Sequence, residues 1–367
     1  MKPERPHSES GFLAGLPAWT VAAPVAAVAV LIGASFGLGG YYVILIALGV
    51  AASVFAAVHH AEVVAHRVGE PFGTLVLALA VTLIEVALIV SLMIAGGTGA
   101  SSLARDTVFA AVMIILNGII GLCLLFGGIS HREQVFSLDG VSAALVALAS
   151  IAVLTLIFPN FTVTMPGPFY SRSQLILIAI VSVVVYGSFV FTQTVGHRQY
   201  FLEGDAESAQ GPHIPDNRMT AASSVLLLLC LVAVVLLAKK LAPSLEAAVA
   251  RMGAPEALVG VVIAGIVLLP EGLAAVRAAR QNRLQTSLNL ALGSALASIG
   301  LTIPAVSVLS LWMNSTLMLG IDTRSMILLM LSLLVTMLAL RTGRTIIFHG
   351  VVLLVIFAVY LFTTIVP

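Results

Sequence analysis

Long apolar runs alternate with short polar segments along the whole chain. A run of about 20 apolar residues can cross a hydrocarbon core of about 30 Å as a helix, and these runs lack the period-2 alternation of barrel strands. The pattern predicts an all-α polytopic membrane protein with about eleven transmembrane helices. The runs lie near residues 17–34, 41–58, 73–95, 107–127, 140–158, 174–194, 220–238, 257–276, 287–311, 325–340 and 346–366.

The longest polar segment, residues 195–219, separates the sixth run from the seventh and divides the chain into halves. If the first run is set aside, each half has five runs, and an odd number makes the halves enter the membrane from opposite faces. Such inverted repeats recur among secondary transporters, with the binding site near the midplane. The predicted organisation is therefore an N-terminal tail and leading helix (1–40), a first five-helix repeat (41–194), an acidic cytoplasmic linker (195–219) and a second five-helix repeat (220–367). The linker, which contains Glu203, Asp205, Glu207 and Asp216, is either a solvated connector or a calcium- or pH-sensing element.

Composition supports a membrane protein, because 60% of the residues are hydrophobic, only 9% are charged and the mean hydropathy is +1.13. Soluble domains contain about 25% charged residues. The lipid bilayer is thus an expected partner, whereas the net charge of +1 gives no reason to expect a nucleic acid. Cys123 and Cys230 fall inside apolar runs, as small buried hydrophobes do. The oligomeric state stays open.

Positive charges are distributed unequally between the two faces that the runs define. Counted from the N-terminal side, eleven Lys and Arg residues fall on one face and six on the other. Because Lys and Arg are enriched in cytoplasmic loops, the N-terminus is predicted in the cytoplasm and the C-terminus on the other side of the membrane. Lys239, Lys240 and Arg251 run against this trend.

Glu85 and Glu271 each stand alone in a charge-free run, the first within Gly73 to Ala95 and the second within Ala257 to Val276. A carboxylate at mid-span costs about 2.5–3.5 kcal/mol on insertion scales, so it persists mainly where it meets water, a partner or a transported ion. Each glutamate lies in the second run of its half. Because these runs cross in opposite directions, the two carboxylates are predicted to meet near mid-membrane.

Other oxygen-bearing groups surround the glutamates in the sequence. Thr82 shares a helix face with Glu85, and the next run contributes Asn117. Pro270 precedes Glu271 and is expected to break the helix and expose main-chain carbonyls. Ser294, Ser298 and Thr302 recur every four residues, which predicts a hydroxyl stripe.

Carboxylate, amide and hydroxyl oxygens are hard ligands of the kind that Ca²⁺ prefers. Removing a carboxylate from water favours its protonated form, whereas a nearby divalent cation favours the ionised form. Proton and metal should therefore compete for the pair Glu85 and Glu271, which predicts cation/proton antiport by alternating access. No organic cofactor or catalytic reaction is expected.

Structural roles remain alternatives for these residues. The glutamates could form an internal salt bridge or a helix-to-helix hydrogen bond, and the hydroxyl stripe could serve helix packing. His60, Glu62, His66 and Glu70 form either an interfacial helix end or a proton-collecting vestibule. An intramembrane metalloprotease is a weaker alternative, because His-Glu-x-x-His is absent and Leu138-Asp139-Gly140 is a frequent tripeptide at a span start.

Two segments resemble the α1 and α2 repeats of the cation/calcium exchanger superfamily. They are His60 to Thr74 leading through Thr82 to Glu85, and Leu269-Pro-Glu-Gly-Leu273 with Asn289 to Pro304. The match is closest to the bacterial ChaA-type calcium/proton antiporters and extends over nearly the whole chain. It implies an antiporter that moves Ca²⁺, and in this branch also Na⁺ or K⁺, against H⁺.

The resemblance implies that Glu85 and Glu271 bind both the cation and the proton, and that Asn117 in the first half and Ser294 and Ser298 in the second are ligands. The chain departs from the family where relatives have a polar pair before the glutamate, since Val267-Leu-Leu-Pro270 has no polar side chain. Ligand number and selectivity therefore stay open. The other candidates are a monovalent Na⁺/H⁺ or K⁺/H⁺ exchanger, a passive cation channel and a membrane hydrolase.

Overall fold

Helices dominate the chain, and each long one corresponds to a predicted apolar run. The computed structural model describes residues 16–36, 40–69, 72–95, 100–201 and 215–366. Within these ranges there are eleven long helices: α1 (Ala18–Ser35), α2 (Tyr42–Val68), α3 (Phe72–Ala95), α4 (Ser101–His131), α5 (Leu138–Phe161), α6 (Arg172–Gly196), α7 (Asn217–Arg251), α8 (Ala257–Arg280), α9 (Leu284–Met313), α10 (Thr323–Leu340) and α11 (Ile347–Ile365).

Nine of these described helices are long and apolar enough to cross a membrane, and α1 and α3 contribute shorter apolar stretches, Ala18–Ala34 and Ala78–Ile94. The prediction of an all-helical polytopic protein is confirmed. The tail before Gly15 and most of the acidic linker, including Glu203, Asp205 and Glu207, lie outside the described residues.

Two helices continue beyond their apolar runs. Helix α2 reaches Val68 instead of ending near residue 58, and α7 reaches Arg251 instead of ending near residue 238. Lys239 and Lys240, which directly follow the seventh apolar run, are therefore helical. The segment added to α7, residues 239–251, is rich in Ala, Leu and Lys, which favour helix whether or not they are apolar. At 35 residues α7 is about 52 Å long, well over the membrane core.

The chain divides into two compact units, and the first comprises Met1–Ala80 with Gln210–Ala238. In this unit α1 packs against α2, where Gly33 leaves room for the Tyr42 ring and the Tyr42 hydroxyl donates to Val30 O at 2.7 Å. At the end of α2, Arg67 donates to Asn217 Oδ1 at 2.5 Å. This bond attaches the C-terminal end of α2 to the beginning of α7.

The second unit comprises Val81–Ala209 with Lys239–Pro367, and α4 is buried over most of its length at its centre. Two glycines let other helices approach α4 closely. A Cβ on Gly350 of α11 would lie 2.5 Å from Leu125 N and 2.7 Å from Gly121 O. A Cβ on Gly260 of α8 would lie 2.9 Å from the Asp106 carbonyl carbon. Backbone thus packs against backbone on two sides of α4.

A small sheet joins the two halves of the chain at one end of this unit. Strand β1 (Glu133–Val135) follows α4 and pairs antiparallel with β2 (Arg344–Ile346), with Gln134 opposite Thr345. The Gln134 amide donates to Ala279 O at 2.8 Å, at the end of α8. The connections that carry Arg132, Arg280 and Arg344 therefore lie at the same end, as the charge count predicted.

The opposite end of the unit is joined by main-chain hydrogen bonds to the segment between α9 and α10. Met318 N donates to Ser101 O, Gly320 N to Pro168 O, and Ile321 N to Leu156 O, at 2.9–3.1 Å. Arg105 donates to Gly320 O at 3.2 Å. Both ends of the second unit thus hold elements from both halves of the sequence together.

Replacing Gly350 by Ala should destabilise the protein, because the new Cβ would meet backbone atoms of α4 that cannot move away cheaply. We expect a loss of about 1–3 kcal/mol, seen as a lower melting temperature of the detergent-purified protein. Gly187→Ala on α6 is the matched control, since no atom lies within 4 Å of its added Cβ. Equal melting temperatures for the two variants would contradict the close crossing of α4 and α11.

Candidate functional site

Glu271 lies on α8 directly after Pro270, and its side chain is 6% exposed. The expectation that Pro270 breaks this helix is wrong, because α8 continues without interruption from Ala257 to Arg280. Neighbouring helices can satisfy the backbone around a proline in a membrane helix, so it need not end one. Since proline has no N–H, the Ile266 carbonyl one turn earlier still lacks its usual helical donor.

Glu85 lies on α3, and its side chain is 4% exposed. Thr82, three residues earlier, is buried as well and lies on the same side of the helix, as its spacing predicted. The Oε1 atom of Glu85 is buried and has no hydrogen-bond partner in the described part of the chain. An unpaired carboxylate oxygen is costly to bury, which marks this position as one that a further group can stabilise.

One helix, α9, binds both glutamates. Ser294 Oγ donates to Glu271 Oε2, and Ser298 Oγ donates to Glu85 Oε2. The two serines are one helical turn apart, which places their Cβ atoms about 5–6 Å apart on one face. Carboxylates from both halves of the chain therefore bond to hydroxyls one helical turn apart on α9.

The two carboxylates have no basic partner in the described part of the chain. Its ion pairs, Arg105–Asp106, Arg324–Asp322 and Arg344–Glu133, involve other residues. Of the structural alternatives, the salt bridge is thus not found among the described residues, whereas helix-to-helix hydrogen bonds are present. Two ionised carboxylates buried this close together need protons or a cation to offset their charge.

Thr302 is the third hydroxyl of the predicted stripe, one turn beyond Ser298. Its Oγ1 is buried, and no described residue forms a hydrogen bond with it. The stripe therefore combines two serines that bind the glutamates with a threonine hydroxyl that is free to bind another group.

Asn117 lies in a π-helical turn, Ile114–Ile119, in the middle of α4. Such turns are rare and often occur at functional sites. The amide group donates to Ser332 Oγ at 2.8 Å and to Met113 O at 3.3 Å, while Oδ1 is buried without a partner. Asn117 does not bond to either glutamate, although Ile119 of the same turn faces Gly272, the residue after Glu271.

The predicted vestibule residues do not form one cluster. His60 is fully buried, and its Nε2 lies 3.2 Å from Thr20 O of α1. Glu62 and His66 are four residues apart on another face of α2, where His66 is exposed. Glu70 lies outside the described residues. Only Glu62 and His66 therefore share a face that a proton-collecting surface would need.

Two other motif residues have structural roles. Asp139 is exposed in the first turn of α5, where an acidic side chain complements the helix dipole, and the tripeptide Leu138-Asp139-Gly140 begins this helix. Asn289 donates to Phe201 O at 2.6 Å and fastens the beginning of the linker to α9. The described residues contain no group of three or more His, Cys, Asp or Glu that could hold a metal ion.

Sequence reasoning missed Ser332 of α10. Ser325, Ser332 and Thr336 follow one another at spacings of seven and four residues, and all three are buried. Seven residues are almost two helical turns, so this is a second hydroxyl stripe, on α10 instead of α9. The same spacing rule that found Ser294 and Ser298 would have found it.

Comparison with known proteins agrees with this architecture. A family model described as sodium/calcium exchanger protein matches residues 38–195 and 222–366, which is most of the chain. The chain belongs to the sodium/calcium exchanger family.

Relatives within this family share much of the sequence. The chain is 51% identical over 316 residues, 86% of each chain, to the protein y4hA of Sinorhizobium fredii, described as an ionic transporter. It is 36% identical over 324 residues, 87% of each chain, to the sodium-potassium/proton antiporter ChaA of Escherichia coli. The crystal structure of the H⁺/Ca²⁺ exchanger CAX superposes with a TM-score of 0.72 at 15% identity, covering 94% of this chain and 87% of CAX. That last similarity shows a common fold.

A double-mutant cycle on protein stability tests which glutamate Ser298 binds. Ser298→Ala should cost about 1–3 kcal/mol, because it removes the one hydrogen-bond donor that the Glu85 carboxylate has among the described residues. In a Glu85→Leu background the same substitution should cost almost nothing, whereas in a Glu271→Leu background the cost should persist. The melting temperatures of the six purified proteins are the measurement. An undiminished cost in the Glu85→Leu background would exclude the pairing of α3 with α9.

Proposed function

We propose that the protein is a secondary transporter, not an enzyme, that exchanges a cation for protons across the inner membrane by alternating access. The observation that carries this proposal is the attachment of Glu85 and Glu271, from opposite halves of the chain, to serines one turn apart on α9. Membership in the sodium/calcium exchanger family supports it.

The charge of the site gives the coupling. With both carboxylates protonated the pair is neutral, and with one Ca²⁺ or two monovalent cations bound it is neutral again. A site without either load would bury two negative charges, which is strongly unfavourable in a low-dielectric region. The loaded forms can therefore switch their access from one side of the membrane to the other, while the empty form is prevented from switching. The protein then exchanges cations for protons, a coupling that a passive channel would lack.

The remaining oxygens near α9 complete the proposed ligand set. Ser294 and Ser298 lie beside the carboxylates, and the unpartnered oxygens of Thr302 and Asn117 are candidate ligands, with Thr82 on the helix of Glu85. All are hard ligands suited to Ca²⁺, Na⁺ and K⁺. We propose Ca²⁺ as a transported ion because two carboxylates match its charge.

Monovalent exchange is the second candidate, and a specific relative favours it. ChaA, which shares 36% of its aligned residues with this chain, is a sodium-potassium/proton antiporter. Both ion classes therefore belong in the transport assay.

The membrane topology is part of the proposal. The two segments that match the family model, 38–195 and 222–366, agree with the proposed repeats at 41–194 and 220–367. Five helices in each repeat give the repeats opposite orientations, and the charge count places the N-terminus and the linker in the cytoplasm.

Cation-driven proton movement in proteoliposomes tests the transport function. Adding CaCl₂, NaCl or KCl in separate experiments should move protons for at least one cation. Glu85→Gln and Glu271→Gln should each reduce this flux by a hundredfold or so, since either change leaves the site unable to exchange its proton load for a cation. Glu246→Gln, an exposed acid on α7, is the matched control and should transport normally.

Normal rate and affinity in either glutamate variant would remove that residue from the site. Cation flux without proton movement in the unmodified protein would indicate a channel and contradict antiport.

Reporter fusions test the topology. Because eleven helices are an odd number, the two termini should lie on opposite sides of the membrane. Alkaline phosphatase fused after Pro367 should be active in the periplasm, and green fluorescent protein fused before Met1 should fluoresce in the cytoplasm. An inactive phosphatase together with a fluorescent N-terminal fusion, or an active phosphatase together with a non-fluorescent one, would place both termini on the same side and contradict the inverted repeat.

A further inference from the structure

The amide of Asn117 is held in one orientation by two hydrogen bonds. Met113 O can only accept, so the group that faces it at 3.3 Å is the NH₂ group. The second N–H donates to Ser332 Oγ at 2.8 Å. Both amide hydrogens are therefore used on one side of the group, and the amide oxygen points the other way.

Ser332 can accept this bond because its own hydrogen is used elsewhere. Its Oγ donates to Leu328 O at 2.7 Å, four residues earlier on α10. The Met113 sulfur lies 3.6 Å from the same oxygen and 3.9 Å from the Asn117 nitrogen, so it fills the remaining space beside this pair. Ser332 is fully buried, and water cannot replace it as the acceptor.

The amide oxygen of Asn117 is left buried and without a hydrogen-bond partner among the residues that the structure describes. A buried acceptor in this state costs free energy unless a ligand reaches it. The turn that carries it packs against α8 through the contact of Ile119 with Gly272, the residue after Glu271. A buried amide oxygen fixed in one orientation is a hard ligand of the kind that cations such as Ca²⁺ bind.

We infer that Ser332 is a positioning residue, which binds the amide NH₂ group of Asn117 and thereby presents the amide oxygen to the transported cation. This inference rests on the proposed transport function. It adds α10 to the site, although α10 carries neither glutamate. Ser332 does not touch the cation; it acts through Asn117.

The test is a double-mutant cycle on the KM for the cation, measured by CaCl₂-, NaCl- or KCl-driven proton flux in proteoliposomes. Ser332→Ala should raise KM about tenfold, equivalent to about 1.4 kcal/mol of binding free energy, with the maximal rate within about twofold of the parent. Asn117→Ala should raise KM at least as much. Adding Ser332→Ala to Asn117→Ala should change KM by less than about twofold, because the group that Ser332 orients is already gone.

Ser182→Ala is the matched control. Ser182 is buried on α6 and donates to the carbonyl four residues earlier, Ile178 O, at 2.8 Å, as Ser332 does on α10, but it has no asparagine partner. This variant should keep the parental KM. If Ser332→Ala does not give monodisperse protein, Ser332→Cys keeps most of the volume, replaces the oxygen by a poor acceptor and should show the same rise in KM.

The outcomes separate the inference from the function on which it rests. If the parent exchanges cations and Ser332→Ala has the parental KM, or if the two effects multiply in the double variant, Ser332 does not act through Asn117 and the inference is overturned while the function stands. If the parent shows no cation-driven proton flux, the proposed function fails and this inference fails with it.

Discussion

The burial of two carboxylates against one face of α9 is the constraint on which the rest of the structure depends. Neither Glu85 nor Glu271 has a basic partner among the described residues, and each receives a single serine hydroxyl. A hydroxyl donor offsets only part of the cost of burying a negative charge. The balance has to come from something that enters and leaves, and protons and metal cations are the two charges that a pair of carboxylates accepts.

The two halves of the chain contribute unequally to this site. Each half supplies one glutamate, but both serine donors come from α9 of the second half, so Glu85 is paired across the repeat. The corresponding helix of the first half, α4, contributes an amide in a π-helical turn instead. Helix α4 is held in place by the close helix crossings at Gly260 and Gly350 and by the joined ends of the second unit. A repeat that is symmetric in topology thus forms a site whose two sides differ chemically.

The helices could be predicted because their cause is local: an apolar run of sufficient length specifies a membrane helix by itself. The two glutamates could be predicted for the same reason, since a carboxylate in such a run is conspicuous. Which serine binds which glutamate could not be predicted in this way. The spacing of Ser294 and Ser298 shows that they share a face, but which glutamate each one meets depends on how α3, α8 and α9 cross, and spacing within one helix does not contain that information.

Pro270 was misread because a proline ends a helix in water but is tolerated in a membrane helix packed among others. The separation of His60 from His66 is a matter of helix phase, and it could have been derived from their six-residue spacing.

Proton release on cation binding is the most direct test of competition between the two charges at Glu85 and Glu271. Purified protein in weakly buffered detergent solution would be titrated with CaCl₂, NaCl or KCl while the pH is recorded. If protons and cations compete at this pair, the bound cation releases protons, up to about two for each Ca²⁺, and the Glu85→Gln/Glu271→Gln variant releases none. Saturable cation binding by the unmodified protein without any release of protons would contradict it.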